Sequence, residues 1–160
     1  MFPKVIAASV GGCVMHSVVD LLHSKPRHGV VSTDIGATVR AATMLMNQHG
    51  IGALVVLAAG RLRGIFTERD VLRRVVAESR SPDHTTVGTV MTEEVICCRP
   101  DTSVDEVAEV MRRHRVRHLP VIDDGEDVVG LVSIGDVNAR RFASCELALT
   151  QMQDYIHRRA

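Results

Sequence analysis

The stretch Gly64–Val75, GIFTERDVLRRV, is matched further along the chain by Gly130–Arg141, GLVSIGDVNARR. Each reads glycine, two apolar positions, a hydroxyl residue, two spacers, an aspartate, and then apolar residues at helical spacing. Thr67 and Ser133 therefore stand where a strand gives way to a helix, with Asp70 and Asp136 three residues on. That geometry has two uses. In a capping box, the hydroxyl and the carboxylate satisfy unpaired backbone N–H groups and complement the helix dipole. Alternatively, the helix start favours a phosphate, the hydroxyl donates to it, and the carboxylate accepts from both hydroxyls of a ribose. The glycine before the hydroxyl lets backbone come close. A structural cap has no need to recur with the same glycine, strand and arginine, so the duplication favours the second use.

The match extends outward in both directions. An offset of 65 positions aligns Val30-Val31 with Val95-Ile96, Thr38-Val39 with Ser103-Val104, Met46 with Met111, His49 with His114, Ile51 with Val116 and Leu54 with Leu119. One extra residue in the turn after Gly125 changes the offset to 66 and aligns Gly64, Thr67, Asp70 and Arg74 with Gly130, Ser133, Asp136 and Arg140. This period is longer than that of solenoid repeats and marks a duplicated small domain.

Each copy predicts strand, helix, strand, strand, helix. A β-branched strand (Gly29–Ser32; Val95–Cys98) leads to a helix capped by Thr38 or Ser103. In the second copy, Val104, Val107, Ala108 and Met111 form one apolar stripe. ALVVLA and LRGIF, then LPVID and VVGLV, read as hairpins turning at AG and DG. A copy this short builds little core alone, so the two are expected to pack sheet against sheet as one α+β unit. The expected organisation is a leader over 1–15, a first repeat with an entry helix over 16–79, a linker at 80–86, a second repeat over 87–141 and a C-terminal helix over 142–160.

Composition narrows the function. Nineteen Lys and Arg balance nineteen Asp and Glu, so no net field draws the chain to nucleic acid or an anionic membrane. No apolar run approaches the roughly 20 residues of a membrane span, and the apolar opening MFPKVIAASVGGCVM lacks the strong basic start of a signal peptide. Cys13, Cys97, Cys98 and Cys145 form no disulfide framework, and the expected location is the cytoplasm. Aromatics make up 2% of the chain and tryptophan is absent, which leaves little for stacking on bare bases.

GIFTERD and GLVSIGD, together with HGIGALVV and HRVRHLPVID, resemble the signatures of cystathionine-β-synthase (CBS) domains. The chain resembles a stand-alone tandem pair of them, a Bateman module, over about Val18–Arg141, roughly three quarters of its length. The resemblance implies an adenine-nucleotide sensor that signals to a separate, unidentified protein and forms a homodimer, with AMP, ADP, ATP, NAD or S-adenosylmethionine as the ligand. It implies that Thr67 and Ser133 meet phosphate or ribose oxygens and that Asp70 and Asp136 hold the ribose diol. Val31, Ser32, Ile96 and Cys97, with Gly52, Ala53, Arg117 and His118, would hold adenine. Arg69 is placed to reach a phosphate. Gly135 stands in its place in the second copy, so charge there must come from elsewhere, such as Arg115 or Arg117. On that basis the Asp70 cleft is expected to prefer the more highly phosphorylated ligands. Leu149, Met152 and Ile156 form a terminal apolar stripe suited to a dimer contact or to packing on the same chain.

Three rival readings are weaker. His114 and His118 straddle a helix-to-strand junction without a zinc-protease glutamate, Cys97 and Cys98 lack metal-ligand spacing, and no nucleophile elbow or Walker loop occurs, so no catalytic or metal site is assigned. The basic run RRHRVRH, Arg112–His118, also reads as a solvated helix end, and nucleic acid is an unfavoured partner. The alternative function is a ligand-free dimerisation scaffold.

Overall fold

A computed structural model describes residues 4–5, 17–25 and 29–157. The order of elements is β1 (Lys4–Val5), α1 (Val18–His23), β2 (Ser32–Asp34), α2 (Val39–His49), β3 (Ala53–Ala58), β4 (Arg61–Thr67), α3 (Glu68–Asp70, continued by a π-helical turn over Val71–Val76), β5 (Ile96–Cys97), α4 (Val104–His114), β6 (His118–Ile122), β7 (Val128–Ser133) and α5 (Ile134–His157). Sheet one has the order β2-β3-β4, with β2 parallel and β4 antiparallel to β3. In the second repeat β6 and β7 pair antiparallel, and Cys98 bridges in parallel to Val121, tying the end of β5 to that hairpin. The two repeats thus reproduce the same α+β topology.

Three apolar clusters hold the molecule together. Met46, Leu54, Val56 and Phe66 belong to the helix-on-sheet core of the first repeat. Val107, Met111, Leu119 and Val132 do the same in the second. The third cluster unites Ala53 and Ile65 of one sheet with Val95, Cys97 and Ile122 of the other, so the repeats pack sheet against sheet. Neither copy buries its inner sheet face alone, and this shared layer makes the pair one unit.

The opening segments of the two repeats are exchanged. Helix α1, the entry helix of the first repeat, puts Val18 and Leu21 into the core of the second. The Val18 and Val19 amides donate to Thr102 and Pro100 carbonyls at 2.9 and 2.8 Å. Reciprocally, Val87, Val90 and Met91 at the start of the second repeat join the core of the first.

Local differences from the sequence reading have local causes. The β2 strand spans Ser32–Asp34 rather than Gly29–Ser32, and Gly29 itself stands in a left-handed conformation at φ +103°. The Asp124-Gly125 turn places Glu126, not Gly125, at positive φ, and the Asp123 amide donates to the Asp127 carbonyl across it. That extra residue accounts for the change of repeat offset. The last repeat helix and the C-terminal helix are one continuous element, α5. No glycine or proline follows Gly135 to interrupt it. Of the terminal apolar stripe, Leu149 is exposed, and the side chains of Met152 and Ile156 lie outside those described. The leader and Cys13 likewise fall outside the described residues, apart from β1, which pairs with β5. Among the described residues, no helix is long and apolar enough to cross a membrane.

Candidate functional site

Both duplicated motifs form complete capping boxes. The Thr67 amide and hydroxyl donate to Asp70 Oδ2 at 2.9 and 2.7 Å, and the Asp70 amide returns to Thr67 Oγ1 at 3.4 Å. Ser133 and Asp136 repeat the pattern at 2.7, 2.7 and 3.2 Å. Thr67 pairs with Ala53 in its hairpin and Ser133 with His118. The next amides, of Glu68 and Ile134, donate to the Gly52 and Arg117 carbonyls. Several of the N–H groups expected to face a phosphate are thus taken up within the repeat itself.

The motif glycines make room for protein. A Cβ on Gly64 would lie 2.8 Å from the Thr92 carbonyl oxygen, and one on Gly130 would lie 2.5 Å from Leu22 Cδ1. Each therefore seats one of the exchanged segments.

Two clefts form between the repeats, and each is lined crosswise. The larger, of about 360 Å³, joins Val31, Gly52 and Ala53 of the first repeat to His118, Ser133 and Asp136 of the second. The smaller, of about 120 Å³, joins Thr67, Arg69 and Asp70 of the first repeat to Arg115, Arg117 and His118 of the second. His118 is part of both walls. Ten of the expected residues line one cleft or the other, while Ser32, Ile96 and Cys97 line neither. Cys97 is fully buried in the layer between the sheets, where burial pushes its thiol up to about 12. Ile96 packs against the second repeat's core, and Ser32 pairs with Val55 inside sheet one. Arg115 and Arg117 stand at the Asp70 cleft rather than supplying charge to the Asp136 cleft.

The charge missing at Gly135 comes from Lys25, a residue that belongs to neither repeated motif. Its ammonium lies 2.7 Å from Asp136 Oδ2 and donates to the Leu131 carbonyl at 2.7 Å. Lys25 reaches that position because α1 packs on the second repeat. Burial alone would raise the Asp136 carboxyl, but hydrogen bonds from Lys25 and Ser133 outweigh it and hold the group below its ordinary value.

The two carboxylates differ in availability. Asp70 is only 7% exposed. Its Oδ1 accepts the Thr92 hydroxyl at 3.3 Å and faces Arg74 at 3.5 Å, while Oδ2 accepts from Thr67. Arg74 also donates to the Val90 and Met91 carbonyls, which fixes it against the opening segment of the second repeat. The Asp136 side chain is 25% exposed and opens on the larger cleft. Burial, then the neighbouring Arg117, pushes the His118 imidazole below its ordinary value, with Asp136 acting the other way. At the rim of the smaller cleft, Arg115 caps α4 in a left-handed conformation at φ +54°, where the first repeat has Gly50 at φ +61°.

Comparison with known proteins gives a consistent family. The CBS domain model matches residues 18–77 and 87–141. The chain is 47% identical over 105 residues to the CBS domain-containing protein CBSX3, mitochondrial, of Arabidopsis thaliana, covering 62% of this chain and half of that protein. It is 34% identical over 140 residues to the CBS domain-containing protein YhcV of Bacillus subtilis, covering 86% of this chain and 96% of that one. Among solved structures, the CBS domain pair of protein MJ0100, in complex with 5-methylthioadenosine and S-adenosyl-L-methionine, matches with a TM-score of 0.70. The match is 28% identical and covers 79% of this chain and 99% of that one.

Proposed function

The chain belongs to the CBS-domain family, and from that membership and the crosswise geometry of the larger cleft we propose that it binds an adenosine-containing small molecule. Occupancy of the cleft is the signal, read by a separate protein partner, and the ligand is not turned over. The observation that carries this reading is the meeting, in one cavity of about 360 Å³, of the Asp136 carboxylate with apolar Val31 and Ala53 from the opposite repeat. A volume of that size falls within the roughly 300–1,000 Å³ of small-molecule sites. A charged acceptor for a ribose diol beside an apolar slot for a purine suits an adenosyl group. The adenosyl ligands bound by the CBS pair of MJ0100 support the same class.

The smaller cleft, at about 120 Å³, is below that range. With Arg69, Arg115 and Arg117 on its walls it suits phosphate groups better than a nucleoside, and the larger cleft is accordingly the principal adenosine site. Candidate ligands are AMP, ADP, ATP, NAD and S-adenosylmethionine.

We further propose a homodimer. Leu72 and Val76 are each 63% exposed on the helical segment after the first motif. Phe142, 67% exposed on α5, is the repeat equivalent of Val76. Burial of these apolar groups by a second copy would remove them from water. Light scattering at micromolar concentration should return a dimer mass. The buried thiols of Cys97 and Cys98 are free, in keeping with a reducing compartment such as the cytoplasm.

Thermal melts with AMP, ATP, NAD and S-adenosylmethionine, alongside native mass spectrometry of the purified protein, test the ligand class. A ligand at 100 times its Kd stabilises the fold by roughly 2.7 kcal/mol. No shift with any of the four at millimolar concentration, and no retained adenine compound, would favour a ligand-free scaffold.

A further inference from the structure

Asp136 is already engaged before any ligand arrives. Its Oδ2 accepts from the Ser133 amide, the Ser133 hydroxyl and the Lys25 ammonium, each at 2.7 Å. A ribose diol that takes both oxygens of this carboxylate, one hydroxyl on each, competes with one of these three at Oδ2. The Ser133 groups are fixed at the end of β7, where the hairpin register and the helix start hold them. Lys25 is the contact that yields, because its ammonium sits on a flexible four-carbon stem. Once displaced, that partly buried cation (the side chain is 24% exposed) requires another anion.

We propose that Lys25 makes the larger cleft selective for adenosyl ligands that carry a phosphate over uncharged ones such as adenosine. This rests on the reading that the larger cleft takes the adenosine moiety. A phosphate-bearing ligand gives Lys25 a replacement partner through a charge-assisted hydrogen bond as its sugar takes Asp136. An uncharged nucleoside offers no such exchange and binds against the full Lys25–Asp136 ion pair. The surroundings leave space for the movement. Lys25, Gly29 and Leu131 line both the larger cleft and an adjoining cavity of about 380 Å³ beneath α1. Lys25 thus stands where a phosphate leaving the nucleoside cleft would meet it.

Calorimetry with AMP and adenosine on the wild type, Lys25→Met and Lys25→Gln tests the assignment, with each fold checked by circular dichroism. The wild type should prefer AMP to adenosine by about tenfold or more. Both uncharged variants should bring the two affinities close together, with adenosine binding at least as tightly as in the wild type, since Asp136 is released. Lys25→Arg should keep the preference for AMP. A wild-type AMP-to-adenosine ratio that persists in either folded, uncharged variant overturns the role of Lys25 and leaves the adenosine reading standing. A wild type that binds neither compound overturns both.

Discussion

Thr92 donates its hydroxyl to Asp70 at 3.3 Å, joining the opening segment of the second repeat to the carboxylate of the first motif. With Thr67 and Arg74 also on Asp70, this aspartate serves as a structural hub, whereas its repeat partner Asp136 opens on the larger cleft. Asp70→Ala should therefore lower stability by about 0.5–2 kcal/mol, the range of a lost helix cap. AMP affinity at the larger cleft should stay near that of the wild type. Chemical denaturation and calorimetry on the same preparation read the two effects separately.

The motif glycines predict a graded response. At Gly64 an added methyl meets the Thr92 backbone carbonyl at 2.8 Å, while at Gly130 the nearest obstacle is the terminal methyl of Leu22. A side-chain end can rotate away, and a backbone carbonyl held in a bridge to Ile65 cannot. Gly64→Ala should cost about 1–3 kcal/mol by overpacking, and Gly130→Ala less. Urea midpoints of the two variants give the comparison.

Arg115 occupies a left-handed position at φ +54°, a conformation that costs an L-residue roughly 1–2 kcal/mol. Glycine there removes the steric cost but adds backbone freedom in the unfolded chain. Arg115→Gly should be neutral or stabilising in thermal melts. It should also weaken any phosphate binding in the smaller cleft, which Arg115 lines.

His118 gives the fold a pH dependence. Its folded value is pushed below the ordinary one by burial, with Arg117 adding to the effect, so the unfolded chain binds more protons in that window. Stability should fall as pH drops from about 7.5 through the ordinary histidine value near 6.5 and on through the lower folded value. Asp136 acts in a separate, more acidic window. Its folded value is depressed by Lys25 and Ser133 against the opposing effect of burial, so its contribution is present above the ordinary carboxylate range and is lost as pH falls through the folded value. His118→Gln should flatten the profile between about pH 7.5 and 5 and leave the acid limb in place. Melting temperatures across pH measure both limbs.

How much of this was legible in the sequence follows the range of each interaction. The capping boxes at Thr67 and Ser133 link residues three apart, and local spacing reveals them. The buried repeat pairs Met46 with Met111 and Leu54 with Leu119 are likewise visible from self-alignment. The crosswise lining of the clefts depends on how the copies pack, which no local pattern encodes. The same limit applies to Cys97, whose position between the sheets makes it core rather than cleft. Lys25 carries no motif at all, and its role arises because α1 crosses to the second repeat. A trace of the asymmetry was nonetheless present: Gly50 aligns with Arg115 and Arg69 with Gly135, so the copies differ in charge where the clefts differ in size.

Ribose recognition by Asp136 is tested by calorimetric titration of AMP into the wild type and Asp136→Asn, with the fold of the variant verified by circular dichroism. The wild type should bind AMP and the variant should bind it about tenfold or more weakly, through the loss of a charged acceptor for the ribose diol. A folded Asp136→Asn protein that binds AMP as tightly as the wild type would contradict it.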